Sequence, residues 1–286
     1  MFFYVNEYSL CGQFETISDF IRCELRDVVS CIQIIAENNA IFTKMSELYK
    51  ARITKDHAFM DLSSQMLNAA DEKVMLQKAL ELVHDMQNWD DGEIKQDLGG
   101  LYYWKENDVS ATSMAEAAAN GGALFSFSRD GLIDECVEIT NGTKSFKVIS
   151  VHHDYYLVNQ FMSSMNISRN KVLRIRYRDT RLNFSQIEEK YGPDKLEKVE
   201  FNVLLKTFDK FIEHESFNTI AKDDGLEYKK YSPEQAERDA FRSHRYDNMT
   251  IMKFRYSGKQ RVFGYRREDI FYVLRLERDH KISDYG

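Results

Sequence analysis

The chain has 286 residues and a mass of 33.7 kDa, more than one modest hydrophobic core fills, which predicts two folded units. Apolar residues make up 43% and aromatics 13%, which excludes a mostly disordered chain, and with only two prolines a linker-rich or collagen-like chain is excluded too. The net charge of −7 is uneven: residues 1–200 carry 22 basic and 31 acidic side chains (−9), whereas 201–286 carry 17 and 15 (+2). Cys11, Cys23, Cys31 and Cys136 have neither C-x-x-C nor zinc-type spacing, so reduced thiols and a cytoplasmic location are expected. The first residues lack the basic and continuous apolar parts of a signal peptide, and no run approaches the ~18 apolar residues of a membrane span.

In chain order, residues 2–10 alternate as a half-buried strand does, with Phe2 and Tyr4 against Phe3 and Val5. From Ser18 the apolar residues fall at helical spacing (Phe20, Ile21, Leu25, Val28, Val29, Ile32, Ile35), and Asn38-Asn39 offers a stop. Helices are predicted over 56–69 and 71–87. Ser113-Met-Ala-Glu116 reads as a capping box for an alanine-rich helix closed by Gly121-Gly122, followed by a buried strand over 123–127. Residues 134–140 and 144–151 flank Asn141-Gly142, a hairpin signal. A helix over 154–165 and a strand over 171–178 come next; the strand places Val172, Arg174, Arg176 and Arg178 on one face. Tyr191-Gly192-Pro193-Asp194 lies in the region where the first unit gives way to the second, and the division is set at 1–180 and 181–286. The second unit opens on an amphipathic helix over 199–214 and a helical turn over 216–221. Strands over 226–231, 249–256, 261–265 and 271–276 follow, the last two joined by the polar loop 266–269. Helices followed by an antiparallel meander make the fold class α+β.

Basic residues punctuate those last strands: Lys229, Lys230, Arg255, Arg261, Arg266, Arg275, Arg278, His280 and Lys281, with Tyr228, Tyr256 and Tyr285 between them. Alternation turns Lys253 and Arg255 to one face and Phe254 and Tyr256 to the other. Cations gathered on a concave sheet neutralise phosphates while rings stack bases, which suits a nucleic-acid strand. The same charges, balanced by Glu268, Asp269, Glu277 and Asp279, also describe a solvated sheet face.

The segments Gly225-Leu-Glu-Tyr-Lys-Lys-Tyr231, Ile251-Met-Lys-Phe-Arg-Tyr256, Arg261-Val-Phe-Gly-Tyr265, Phe271-Tyr-Val-Leu-Arg275 and Asp279-His-Lys281 follow two helices. This order resembles the RelE/HigB superfamily of toxin ribonucleases over residues 200–286. The link from Tyr231 to Met249 is longer than is usual in that superfamily, and Gln260 stands where an aromatic is expected before Arg261. The resemblance implies a small domain of helices on an antiparallel sheet that cleaves RNA, including ribosome-bound mRNA, with no cofactor and no metal. In that chemistry the 2′-OH attacks the adjoining phosphate, cations stabilise the charge on its oxygens, and an acid and a base move the protons. It implies Lys229, Arg255, Arg261 and His280 as catalytic, and Lys230, Arg266, Arg275, Lys281 and Tyr285 as RNA-binding. A role in growth control or phage defence follows by analogy, with an antitoxin or other protein as partner and residues 1–180 supplying specificity or regulation.

Two other readings stand beside it. One is a non-catalytic protein that binds nucleic acid or protein, its acidic N-terminal region meeting a basic surface. The other is a metal-dependent nuclease of PD-(D/E)xK type, from Pro193-Asp194 and Glu227-Tyr-Lys229, although [D/E]-x-K triplets recur elsewhere in the chain (Asp71–Lys73, Glu93–Lys95, Glu188–Lys190, Asp279–Lys281). His152-His153-Asp154 reads as a strand-to-helix junction with Asp154 as N-cap rather than a metal site, because adjacent strand residues point to opposite faces. Trp89 and Trp104 are expected in the core. No phosphate-binding glycine loop, dinucleotide fingerprint or serine or cysteine nucleophile motif is present.

Overall fold

The computed structural model describes residues 1–67, 69–142, 144–233, 239–279 and 282. The fold is α+β, and the chain forms two compact units, Met1–Asn166 and Ile167–Gly286. The division falls before the expected 180/181 boundary. Arg169 hydrogen-bonds Asp194 and Leu196, and Arg176 pairs with Asp209 at 2.7 Å, which ties residues 167–180 to the second unit.

The first unit is a single sheet built in chain order from β1 (Phe2–Asn6), α1 (Ile17–Glu37), β2 (Ile41–Lys44), α2 (Ala70–His84), β3 (Gln87–Asn88), β4 (Tyr102–Trp104), β5 (Asn107–Asp108), α3 (Ser113–Asn120), β6 (Ala123–Ser126), β7 (Glu135–Asn141), β8 (Lys144–Val151) and α4 (Asp154–Phe161). Strand order is β3-β2-β1-β6-β8-β7-β4-β5; the first five are mutually parallel, and β7, β4 and β5 close the far side antiparallel. β1 is therefore a central strand buried on both faces, not half-buried as alternation suggests: Phe3 packs on Phe161 of α4, and Tyr4 joins Met114 and Ala118 of α3. Parallel strands covered by helices on both faces lose the polar side that alternation requires. Trp104 lies in the core on the α3 side, with Trp89 packed against it.

α1 begins at a capping box in which Thr16 and Asp19 satisfy each other's backbone N–H. α3 is capped differently from the expectation. Thr112 is its N-cap, while Glu116 turns away to accept from the backbone of Lys95 and Gln96. Gly121, at φ +66°, closes the helix in the left-handed conformation that glycine adopts without strain. The predicted 56–69 helix is a 3₁₀ stretch, Phe59–Ser64. At the end of β8 the N-cap is His153, and Asp154 is the first helical residue.

The second unit contains α5 (Arg169–Arg176), β9 (Leu182–Asn183), α6 (Lys198–Glu213), α7 (Phe217–Ile220), β10 (Lys229–Lys230), β11 (Ile251–Ser257), β12 (Gln260–Arg267) and β13 (Ile270–Glu277). α5 replaces the predicted strand with its basic face. Ser168 caps the helix through Lys171 N, and Val172 and Leu173, adjacent in sequence, are both buried, which a one-faced strand does not allow. The predicted 226–231 strand shortens to Lys229–Lys230, with Leu226 and Tyr231 each adding one backbone hydrogen bond to β11. The sheet order is β10-β11-β12-β13-β9, antiparallel except for the β13–β9 pair. One face carries Phe254 and Phe271, which pack on Phe211 of α6 at 4.8 and 5.7 Å between ring centroids.

Candidate nucleic-acid interface

Directly paired residues of an antiparallel ladder share a face, so the pairing aligns two rows opposite the helices. Lys229, Lys253, Phe263 and Arg275 form one; Arg255, Arg261 and Glu277 form the next. Sequence alternation placed Lys253 and Arg255 together but did not single out Lys253, which lies at the centre of the group. Lys253 is 5% exposed and sits 5.7 Å from the Tyr231 ring centre. Burial, then the charges of Lys229 and Arg261, move its ammonium below the usual lysine range, while Glu277 opposes the shift. Burial and the neighbouring Arg255 depress Arg261 in the same way.

Two carboxylates serve this group. Glu227, at a left-handed φ of 47° in the turn before β10, pairs with Arg255 and lies 3.5 Å from Arg261. Glu277, 2% exposed, stands across from Arg261 and accepts from the backbone of Ile282. Lys229, Lys253, Arg255 and Arg261 against Glu227 and Glu277 leave two positive charges in excess. Among the described residues Arg255 Nε is buried with no hydrogen-bond partner, an unused donor in the cationic group. Beside Glu277 opens a cleft of about 570 Å³ lined by Lys190, Tyr191, Lys195, Glu200 and Arg278. Arg278 is held to Glu200 at 2.9 Å.

The other expected residues go elsewhere. Arg275 is 8% exposed, bound to Glu188 at 2.7 Å and to Ala240 O at 2.8 Å, with its guanidinium over Phe241 and Tyr191, so its charge is spent inside the unit. The cause is the long 231–249 link, whose Phe241 and Tyr246 pack over the middle of the sheet against Phe263 and Leu274. Arg266 lies on the opposite face, 4.2 Å from the Phe217 ring centre, and Lys230 pairs with Met252 on that same face at the exposed edge. Tyr228 packs on Phe211, Phe217 and Phe271, and Tyr256 is 4% exposed; neither ring faces the cations. Tyr265 and Tyr272 instead stack 4.9 Å apart beyond the Phe241 cover. Their direct pairing across β12 and β13 shows in no sequence motif. His280, Lys281 and Tyr285 lie outside the described residues.

The features of the metal-nuclease reading are used structurally: Asp194 accepts from Arg169 N, and Glu227 holds the arginines. His152 and His153 turn to different partners, Ser126 O and Asp134. Among the described residues no three His, Cys, Asp or Glu side chains gather as a metal site does, and no helix is long and apolar enough to cross a membrane. Comparison of the chain with protein-family models, curated proteins and solved structures finds no match.

Proposed function

We propose that the second unit binds RNA through Lys229, Lys253, Arg255 and Arg261 and cleaves it as a toxin-type endoribonuclease, by attack of the ribose 2′-OH on its own phosphate. The observation that carries this reading is the convergence of four cations in two adjacent rows of one sheet face with two carboxylates among the described residues there. Two helices packed behind an antiparallel meander also agree with the element order that the RelE/HigB resemblance implies. Arg255 and Arg261 would hold the non-bridging oxygens, and a phosphate would displace Glu227 from them; a charge already placed where negative charge develops is the largest stabilising effect in such reactions. Lys253, its ammonium weakened by burial and then by the charges of Lys229 and Arg261, is the described group suited to exchanging a proton with the reacting oxygens. Growth control or phage defence, with a neutralising protein partner, is the setting that suits such an activity.

The test is incubation of the full chain with mRNA, with and without ribosomes and EDTA. Expected is EDTA-resistant cleavage that stops when the nucleotide 5′ to the cut carries a 2′-deoxyribose. Cleavage abolished by EDTA would favour the metal-nuclease reading. Intact RNA throughout, with a captured protein partner, would favour the interaction protein.

A further inference from the structure

The sheet face that carries the two cation rows continues beyond the Phe241 cover. β11 and β12 pair in unbroken register from Arg255 and Arg261 to Ile251 and Tyr265, so Tyr265 shares the face of Lys253 and Arg261. It comes four residues after Arg261, about 14 Å along the strand. Tyr265 pairs directly with Tyr272 of β13, and the two rings stack at 4.9 Å with 6° between their planes.

Both tyrosines are partly exposed, and Tyr265 also packs against the cluster of Phe241 and Tyr246, which anchors the pair. Rings fixed before a ligand arrives lose little freedom when it binds. A cross-strand ring pair stabilises a sheet by itself, but that role needs no cations around it. Here cations flank the rings. Arg267, two residues past Tyr265 on the same face, is exposed, and among the described residues no carboxylate pairs with it. On the cover, Arg242 and Arg245 are exposed, and Arg245 reaches Gln186 O at 3.2 Å. Of the acids close by in sequence, Asp247 holds His244 at 3.0 Å and Asp269 faces Arg181 at 3.5 Å. Glu268 occupies the turn beyond Arg267.

We propose that Tyr265 and Tyr272 form a base-stacking platform for single-stranded RNA, remote from the cut, with Arg267 and the cover arginines on its phosphates. Aromatic rings accept any base on its π-face while cations track the backbone between bases, so the platform adds affinity with little sequence preference. The RNA runs from the Arg255–Arg261 group across the outside of the cover to the two rings. This inference rests on the RNA reading of the same sheet face and extends it to a second contact that takes no part in the chemistry.

The test is binding of the full chain to a single-stranded RNA of about sixteen nucleotides, 2′-O-methylated so that no 2′-OH can attack. Tyr265→Leu/Tyr272→Leu should bind it about 5- to 150-fold more weakly, the loss of one stacked base. Tyr265→Phe/Tyr272→Phe, which keeps both rings, should bind as wild type does. Arg267→Ala, an exposed change, should lower the slope of log K against log salt by about 0.7. Wild-type affinity in a leucine variant that still unfolds cooperatively would overturn the platform. If that variant loses its cooperative transition, an unchanged slope in Arg267→Ala overturns it instead. Either result, beside weakened binding by Arg255→Ala/Arg261→Ala, leaves the RNA reading standing. Weakened binding by the leucine variant beside wild-type affinity in Arg255→Ala/Arg261→Ala removes the cleavage site and keeps the platform. A wild type that binds no RNA removes both.

Discussion

Replacing Arg255 and Arg261 together by alanine should lower RNA cleavage by about two to three orders of magnitude, because one positioned donor at a developing charge is worth about 10²–10³ in rate. Either single change should give most of that loss. The two guanidiniums face each other across β11 and β12 and share Glu227, so removing one leaves the other held by an undivided carboxylate. Groups that act as a unit lose their effect together rather than additively. The check is single-turnover cleavage of one defined RNA by the wild type, both single variants and the double variant. The double variant should retain a cooperative unfolding transition, since Arg255 and Arg261 lie opposite the Phe254 core face. Cleavage within a factor of two of wild type in the double variant would remove these residues from the reaction.

Phe211→Ala should destabilise the second unit by about 3–5 kcal/mol, the range for truncating a buried phenylalanine. Phe211 is fully buried on α6 and meets Phe217, Tyr228, Phe254 and Phe271, with ring centroids 4.8 to 6.3 Å away. The neighbours come from α7, the turn before β10, β11 and β13, so no single movement refills the space. Urea unfolding of the full chain should show the second-unit transition shifted to lower denaturant, with the first-unit transition unmoved. A loss below about 1 kcal/mol would mean that the aromatic cluster is not the core of this unit.

Elements whose signals are local were legible. Asn141-Gly142 gives the β7–β8 hairpin, and the spacing from Phe20 to Ile35 gives α1. Alternation alone put Lys253 and Arg255 on one face, as the ladder has them. What failed depended on packing from elsewhere. Arg275 reads like Arg255 in sequence, yet Phe241 and Tyr246 fold over it and Glu188 takes its charge. Val172, Arg174 and Arg176 alternate as a strand would, but the Ser168 cap and the Arg176–Asp209 pair fit a helix. Alternation in residues 2–6 gave the strand without its two buried faces, because parallel neighbours and helices on both sides cannot be read from one segment. Ser128 donates to the buried Glu24 across 104 residues of sequence, a contact that no local motif could show.

Contact between the two-row cation group and phosphates is read from the salt dependence of binding to a single-stranded RNA whose cut site carries a 2′-deoxyribose. For each phosphate contact the slope of log K against log salt changes by about 0.7 on single strands. Wild type and Arg255→Ala/Arg261→Ala should therefore differ in slope by about 1.4, with weaker binding by the variant at every salt concentration. Equal slopes, with RNA held as tightly by the variant, would take Arg255 and Arg261 out of RNA binding.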